Sequence, residues 1–142
     1  MTDRPLHATC VAIGGRGVLI MGPPGAGKSD LALRLIDRGA TLVSDDGVTV
    51  VAADARLRAS PPPTIAGRIE VRGVGIVERP YISDVPIALC LALDELPDRM
   101  PPDRLPHRTI AGADLPLLAV APFEASAPLK VELALGRWGL SA

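Results

Sequence analysis

An α/β fold, organised as one domain over residues 1–142, follows from three features of the sequence. An apolar run of β-forming residues, Val18 to Met21, enters a glycine-rich loop. From Lys28 onward the apolar residues recur at helical spacing. Further β-type runs then follow, separated by turn residues. A chain of this length can bury about two-thirds of its unfolded surface in one core, whereas two half-length domains would each be marginal.

Leu6 to Ile13 and Val18 to Met21 read as two strands joined through Gly14-Gly15-Arg16-Gly17, a hairpin connection. Leu31, Ala32, Leu35 and Ile36 form one face of a helix that starts near Lys28 and stops at Gly39. Leu42-Val43 and Val48 to Ala53 are expected as strands flanking the acidic turn Ser44-Asp45-Asp46-Gly47. Ser60 to Pro63 is a stiff connection, because proline fixes φ and cannot donate to a ladder. Ile69 to Glu78 mixes charge with apolar alternation and two glycines. Ile87 to Leu93 is a buried strand, Pro97 to Pro106 a loop, and Leu115 to Ala121 a short strand. Leu129 to Leu135 is a short helix after Pro128, with Gly136 as its stop.

Composition narrows the function classes. The 15 Lys+Arg and 16 Asp+Glu leave a net charge of -1, which gives no electrostatic case for nucleic acid or a membrane surface as partner. No apolar run reaches the length of a membrane span, and the start Met1-Thr2-Asp3-Arg4 lacks a signal-peptide core, so a cytoplasmic location is expected. Cys10 and Cys90 lie among apolar neighbours and read as buried thiols in a reducing compartment. Lys28 and Lys130 are the only lysines among the cations, so a motif that demands lysine carries extra information here.

Gly22-Pro23-Pro24-Gly25-Ala26-Gly27-Lys28-Ser29 matches G-x-x-x-x-G-K-[ST], the Walker A or P-loop pattern, with a strand before it and a helix after it. In such a loop the glycines let successive N–H groups face phosphate oxygens, and the helix N-terminus adds its positive end. Lys28 is expected to reach the β- and γ-phosphates of ATP, and the Ser29 hydroxyl to ligate Mg²⁺. A chain without asparagine has no N-K-x-D guanine reader, which argues against a GTPase. Motor ATPases and nucleoside kinases usually need more chain.

Asp45 and Asp46 end an apolar strand about one helix after the loop, where a parallel neighbouring strand would bring them beside the phosphates. One carboxylate can hold the metal's water shell while the other accepts a hydroxyl proton, and alternation along a strand separates their roles. Glu70 and Arg72 stand in a run otherwise fit for burial, so a metal for Glu70 and a phosphate or carboxylate for Arg72 are reasonable partners. The alternatives at these positions are a plain turn and solvated edge charges.

Taken together, Leu6-His7-Ala8, the hairpin, G-P-P-G-A-G-K-S-D, L-V-S-D-D-G-V and I-A-G-R-I-E-V-R-G-V-G-I-V resemble, in that order, the catalytic core of the HPr kinase/phosphorylase family. The likeness runs from about Leu6 to Val77 and is greatest to the short alphaproteobacterial forms, which lack the N-terminal domain and much of the C-terminal extension. It implies a P-loop fold of the HPr kinase and phosphoenolpyruvate carboxykinase type. The activity it implies is ATP- and Mg²⁺-dependent phosphorylation of a serine on HPr, a carrier of the sugar phosphotransferase system, with the reverse phosphorolysis at the same site. By the same resemblance Gly22 to Ser29 bind the triphosphate, Lys28 is catalytic, Ser29 and Glu70 bind the metal, and Asp46 accepts the proton. His7 is expected against the Asp45-Asp46 pair, and His7, Asp45 and Arg72 complete the catalytic set. Ile69 to Glu78 matches a stretch implicated in both directions of catalysis, and full-length members imply a hexamer.

One family element, Gly-Arg-Asn with a catalytic arginine, has no counterpart here. The equivalent stretch, Pro116 to Glu124, contains no arginine, and Arg104 or Arg108 is the candidate substitute. Two other readings therefore stay open: a small-molecule kinase using the same site, and a nucleotide-sensing regulatory module that binds ATP without transferring phosphate.

Overall fold

A hairpin begins the fold. In a computed structural model that describes residues 5–141, β1 (Ala8–Ile13) pairs antiparallel with β2 (Arg16–Met21) across the turn Gly14-Gly15. Residues 1–4, the start inspected for a signal peptide, lie outside the described residues. The chain leaves β2 into the P-loop and enters α1 (Lys28–Asp37), which ends where the Arg38, Gly39 and Ala40 amides donate back to the Leu35 and Ile36 carbonyls. It returns as β3 (Thr41–Ser44) on the outer side of β1.

After the acidic turn, β4 (Thr49–Ala53) and β5 (Arg56–Ser60) form a second hairpin, and β6 (Arg68–Val71) and β7 (Gly75–Glu78) a third. The central strand β8 (Val85–Ala92) then runs parallel to β2. The edge hairpin of β9 (His107–Ile110) and β10 (Ala113–Ala119) and the helix α2 (Ala127–Trp138) complete the described chain. The sheet order is β3-β1-β2-β8-β10-β9, with β5 joined to the start of β8. Because β1 runs against both neighbours while β2, β8 and β10 are parallel, the carboxyl ends of β3, β2, β8 and β10 share one edge of the sheet.

Alternation decides which face each side chain covers. Val18 and Ile20 of β2 and Leu89 and Leu91 of β8 face one core with Leu31 and Leu35 of α1 and Val131 and Leu135 of α2. Leu19, Cys10 and Cys90 face the other, joined by Ile87 where an irregularity in the β2–β8 pairing interrupts the alternation, and Leu57 and Ala59 of β5 close it with Val43 and Leu115. β8 is buried on both faces, as its continuous apolar run requires. No helix among the described residues is long and apolar enough to cross a membrane.

Several elements differ from the expectation. The two strands flanking the acidic turn are present, β3 paired with β1 and β4 with β5, but β5 is absent from the sequence reading because Arg56 and Arg58 interrupt its apolar pattern. The acidic turn follows a strand that has the direction of β2 but is separated from it by β1, so it is not an adjacent parallel neighbour. Ile69 to Glu78, left without an element in the sequence reading, lies in the β6–β7 hairpin, which turns at Arg72-Gly73-Val74. β9 was also unexpected, since H-R-T-I shows too little apolar character to stand out. Gly136 lies inside α2, which runs on to Trp138 because Leu135 and Trp138 still have apolar surface to cover.

Both thiols are free and buried, and burial pushes each up to about 12. Leu19 pairs with Cys10 on one side and Cys90 on the other. The two cysteines are thus two strand spacings apart, ~10 Å, beyond the reach of a disulfide. At pH 8 neither is a thiolate in the folded chain, so iodoacetamide should label neither under native conditions and both in denaturant, read by intact mass.

Candidate functional site

Gly27 gives the loop its shape and leaves the helix open. It has φ 100, and a Cβ there would lie 2.9 Å from Cζ of Phe123, so only glycine fits between the loop and that ring. It also occupies the N-cap of α1 without a side chain to cap the first turn, which leaves the helix N-terminus available to an anion. Lys28 is 8% exposed, and its ammonium donates to the carbonyl oxygens of Gly22 at 2.7 Å and Pro23 at 3.1 Å. The cation is thereby held over the curl of the loop.

Asp45 organises the other wall. Its carboxyl is 7% exposed and accepts from the Ser29 hydroxyl at 2.5 Å, the Thr9 hydroxyl at 3.1 Å and the Glu70 amide at 2.9 Å. A carboxyl this deeply buried needs such donors. Asp46 has the opposite situation: it is exposed, with φ 53, and its amide donates to Thr9 Oγ1 at 3.2 Å. Aspartate tolerates this left-handed backbone better than most residues. The two carboxyls therefore diverge because the chain turns between them just past the end of β3, and not through strand alternation. Ser44 Oγ bonds to the Gly47 carbonyl and the Gly47 amide donates to Ala8 O at 2.9 Å, which fixes the turn against β1.

The β6–β7 hairpin adds the third wall. Ile69 is fully buried in the core beneath α1, while Glu70 and Arg72 are exposed at the rim. Together these walls enclose a cavity of about 560 Å³ lined by the loop, Ser29, Asp45, Asp46, Glu70 and Arg72, with Leu33, Val71 and Phe123 as apolar lining. Its lining carries four carboxyls, Asp30, Asp45, Asp46 and Glu70, and two cations, Lys28 and Arg72.

The structure thus gathers Gly25, Gly27, Lys28, Ser29, Asp45, Asp46, Glu70 and Arg72 around one cavity. His7 is exposed beside the acidic turn, since its neighbours Leu6 and Ala8 bond to Val48 and Gly47, and it makes no hydrogen bond to either carboxyl among the described residues. Thr9, two residues on, bonds to the Asp45 carboxyl and the Asp46 amide, a contact the sequence reading missed; a hydroxyl in an otherwise apolar run is the signal for it. Arg104 lines a separate cavity with His107, Arg137 and Trp138, and Arg108 stands on β9; neither lines the P-loop cavity. Phe123 and Arg34 were not singled out in the sequence, since a lone aromatic or a helical arginine has no motif.

Known proteins resemble the chain in sequence and in fold. The family model described as HPr Serine kinase C-terminal domain matches residues 1–113. An HPr kinase/phosphorylase of Clostridium botulinum (strain Eklund 17B / Type B) is 45% identical over 73 residues, covering 51% of this chain and 24% of that protein. One from Clostridium acetobutylicum is 37% identical over 107 residues, covering 70% of this chain and 35% of that protein. The matches therefore span about a quarter to a third of these curated relatives' length. A solved structure, described as the HPr(Ser) kinase/phosphatase from Coxiella burnetii, superposes with TM-score 0.78 at 30% identity over 94% of this chain and 95% of that one.

Thr9→Val keeps the shape of the side chain but deprives Asp45 of a donor and the Asp46 amide of its acceptor. Loss of stability by ~1–3 kcal/mol is expected in urea denaturation.

Proposed function

The chain belongs to the HPr serine kinase C-terminal domain family, and on that premise we propose that it transfers the γ-phosphoryl group of ATP to a serine of the phosphocarrier protein HPr. The observation that carries this reading is the 2.5 Å hydrogen bond between the P-loop Ser29 and Asp45, with the exposed Asp46 carboxyl beside it. It joins a phosphate-binding loop to a site where a protein hydroxyl can arrive.

Mg²⁺ fits the donors present. Ser29 Oγ and Asp45 Oδ1 are hard oxygen ligands already side by side, and the four carboxyls around the cavity outnumber its two cations, so a polyphosphate needs a divalent cation to enter. The chemistry such a metal would supply is Lewis-acid neutralisation of charge developing on the phosphate oxygens. Ser29 and Asp45 would hold it, with Glu70 at the rim as a further ligand.

The chain's own residues supply the rest. Loop amides and the α1 N-terminus bind the phosphates, and Lys28 exchanges its carbonyl partners for phosphate oxygens. The serine oxygen of the carrier forms a bond to the γ-phosphorus as the bond to the β,γ-bridging oxygen breaks. The serine proton passes to the Asp46 carboxylate, and ADP leaves. Arg72 at the hairpin tip offers its guanidinium to the transferred group or to an acidic residue of the carrier.

Incubation of the purified chain with Mg²⁺-ATP and the same organism's HPr should add one phosphate per carrier, located on serine by mass spectrometry. Asp46→Asn should slow transfer on the order of 10²–10⁴-fold while ATP affinity stays within a few-fold, since the carboxyl serves the hydroxyl and not the phosphates. Transfer at the wild-type rate would overturn the base assignment, and an unmodified carrier would overturn the kinase reading.

A further inference from the structure

Phe123 is the only phenylalanine in the chain, and 70% of it is exposed on the wall of the P-loop cavity. Burial does not explain it, yet it is firmly placed. Arg34 on α1 donates to the Glu124 carbonyl at 3.2 Å and to the Pro122 carbonyl, so one guanidinium grips the backbone on both sides of the ring. Asp30 in turn holds Arg34 at 3.0 Å. The ring edge rests on Gly27, the residue that opens α1.

Sheet order assigns this wall a role. The acidic turn follows β3, two strands to one side of β2 and its loop, and Phe123 follows β10, two strands to the other side. All of these carboxyl ends lie on the same sheet edge, where ligands of open α/β sheets bind. A triphosphate held by the loop with its γ end toward Asp45 and Asp46 leaves its α end, and whatever is attached to it, on the β10 side. There the Phe123 ring, in contact with Gly27, forms the lining.

We propose that Phe123 is the stacking platform for the purine base of the nucleotide, held in place by Arg34 as a positioning residue. This rests on the reading of the loop as a nucleoside triphosphate site. Stacking uses the π-face that every purine has, so the platform contributes affinity without choosing strongly between adenine and guanine.

The test compares MgATP, MgGTP and magnesium tripolyphosphate, which has the phosphates and no base, by calorimetry on the whole chain. Phe123→Ala is expected to weaken ATP and GTP about tenfold and to leave tripolyphosphate within about twofold. Phe123→Trp should keep the affinity for ATP, and Arg34→Ala should lower the ratio of ATP to tripolyphosphate affinity while thermal unfolding shows a folded chain. Unchanged ATP affinity in Phe123→Ala, or an equal fall for ATP and tripolyphosphate, would overturn the platform; the latter would mean that the ring only supports Gly27. A wild-type chain that binds tripolyphosphate as tightly as ATP overturns the platform and leaves the phosphate site standing. A wild type that binds neither overturns the phosphate site and the platform with it.

Discussion

The buried carboxyl of Asp45 is the constraint on which the site depends. Three donors from three separate elements meet on it: the Thr9 hydroxyl of β1, the Ser29 hydroxyl of α1 and the Glu70 amide of β6. Removing a carboxyl from water without partners costs several kcal/mol, so β1, α1 and the β6–β7 hairpin must all be in place before Asp45 can be buried cheaply. The positions of Ser29, Glu70 and Asp46 are therefore not independent. Each is fixed by its relation to one carboxyl, and the cavity has its polar wall before any ligand arrives.

The division between the two aspartates follows from the same turn. Asp45 looks inward to its donors, while the positive φ at Asp46 swings the next carboxyl out to solvent. One is held for structure and charge, and the other is free to receive a proton from a group that approaches from outside. A strand alternation would also have separated them, but to opposite faces of the sheet. The turn keeps both at the cavity.

Much of this was legible because local rules and tertiary demands agree. Gly22 to Ser29 has a fixed spacing whose mechanism is backbone geometry, so the loop, its strand and its helix could be read directly, as could the buried run of β8. The less legible parts depend on partners distant in sequence. β5 carries two arginines that point away from its buried Leu57 and Ala59, and the pattern of a strand with one solvated face is weak over so few residues. Thr9 belongs to no motif, and it takes the fold to show that its short hydroxyl side chain bridges β1 and the acidic turn. Phe123 and Arg34 belong to segments far apart in the chain, and only the fold shows that one grips the loop of the other.

Charge around the cavity ties these parts together. Lys28 is one of two lysines, and its compact ammonium fits between the Gly22 and Pro23 carbonyls, where a planar guanidinium would not enter the curl of the loop. Arg72 is the only arginine lining the cavity among the described residues, while Arg34 is engaged beneath Phe123 and Arg104 lies at another cavity. Two cations facing four carboxyls cannot neutralise a triphosphate. Under the proposed reading, nucleotide and divalent metal must therefore enter together, the metal relieving the repulsion between Asp45 and the phosphates that would otherwise oppose binding. The excess of acid that discourages a bare polyphosphate is then what couples occupancy of the loop to the metal that the transfer requires.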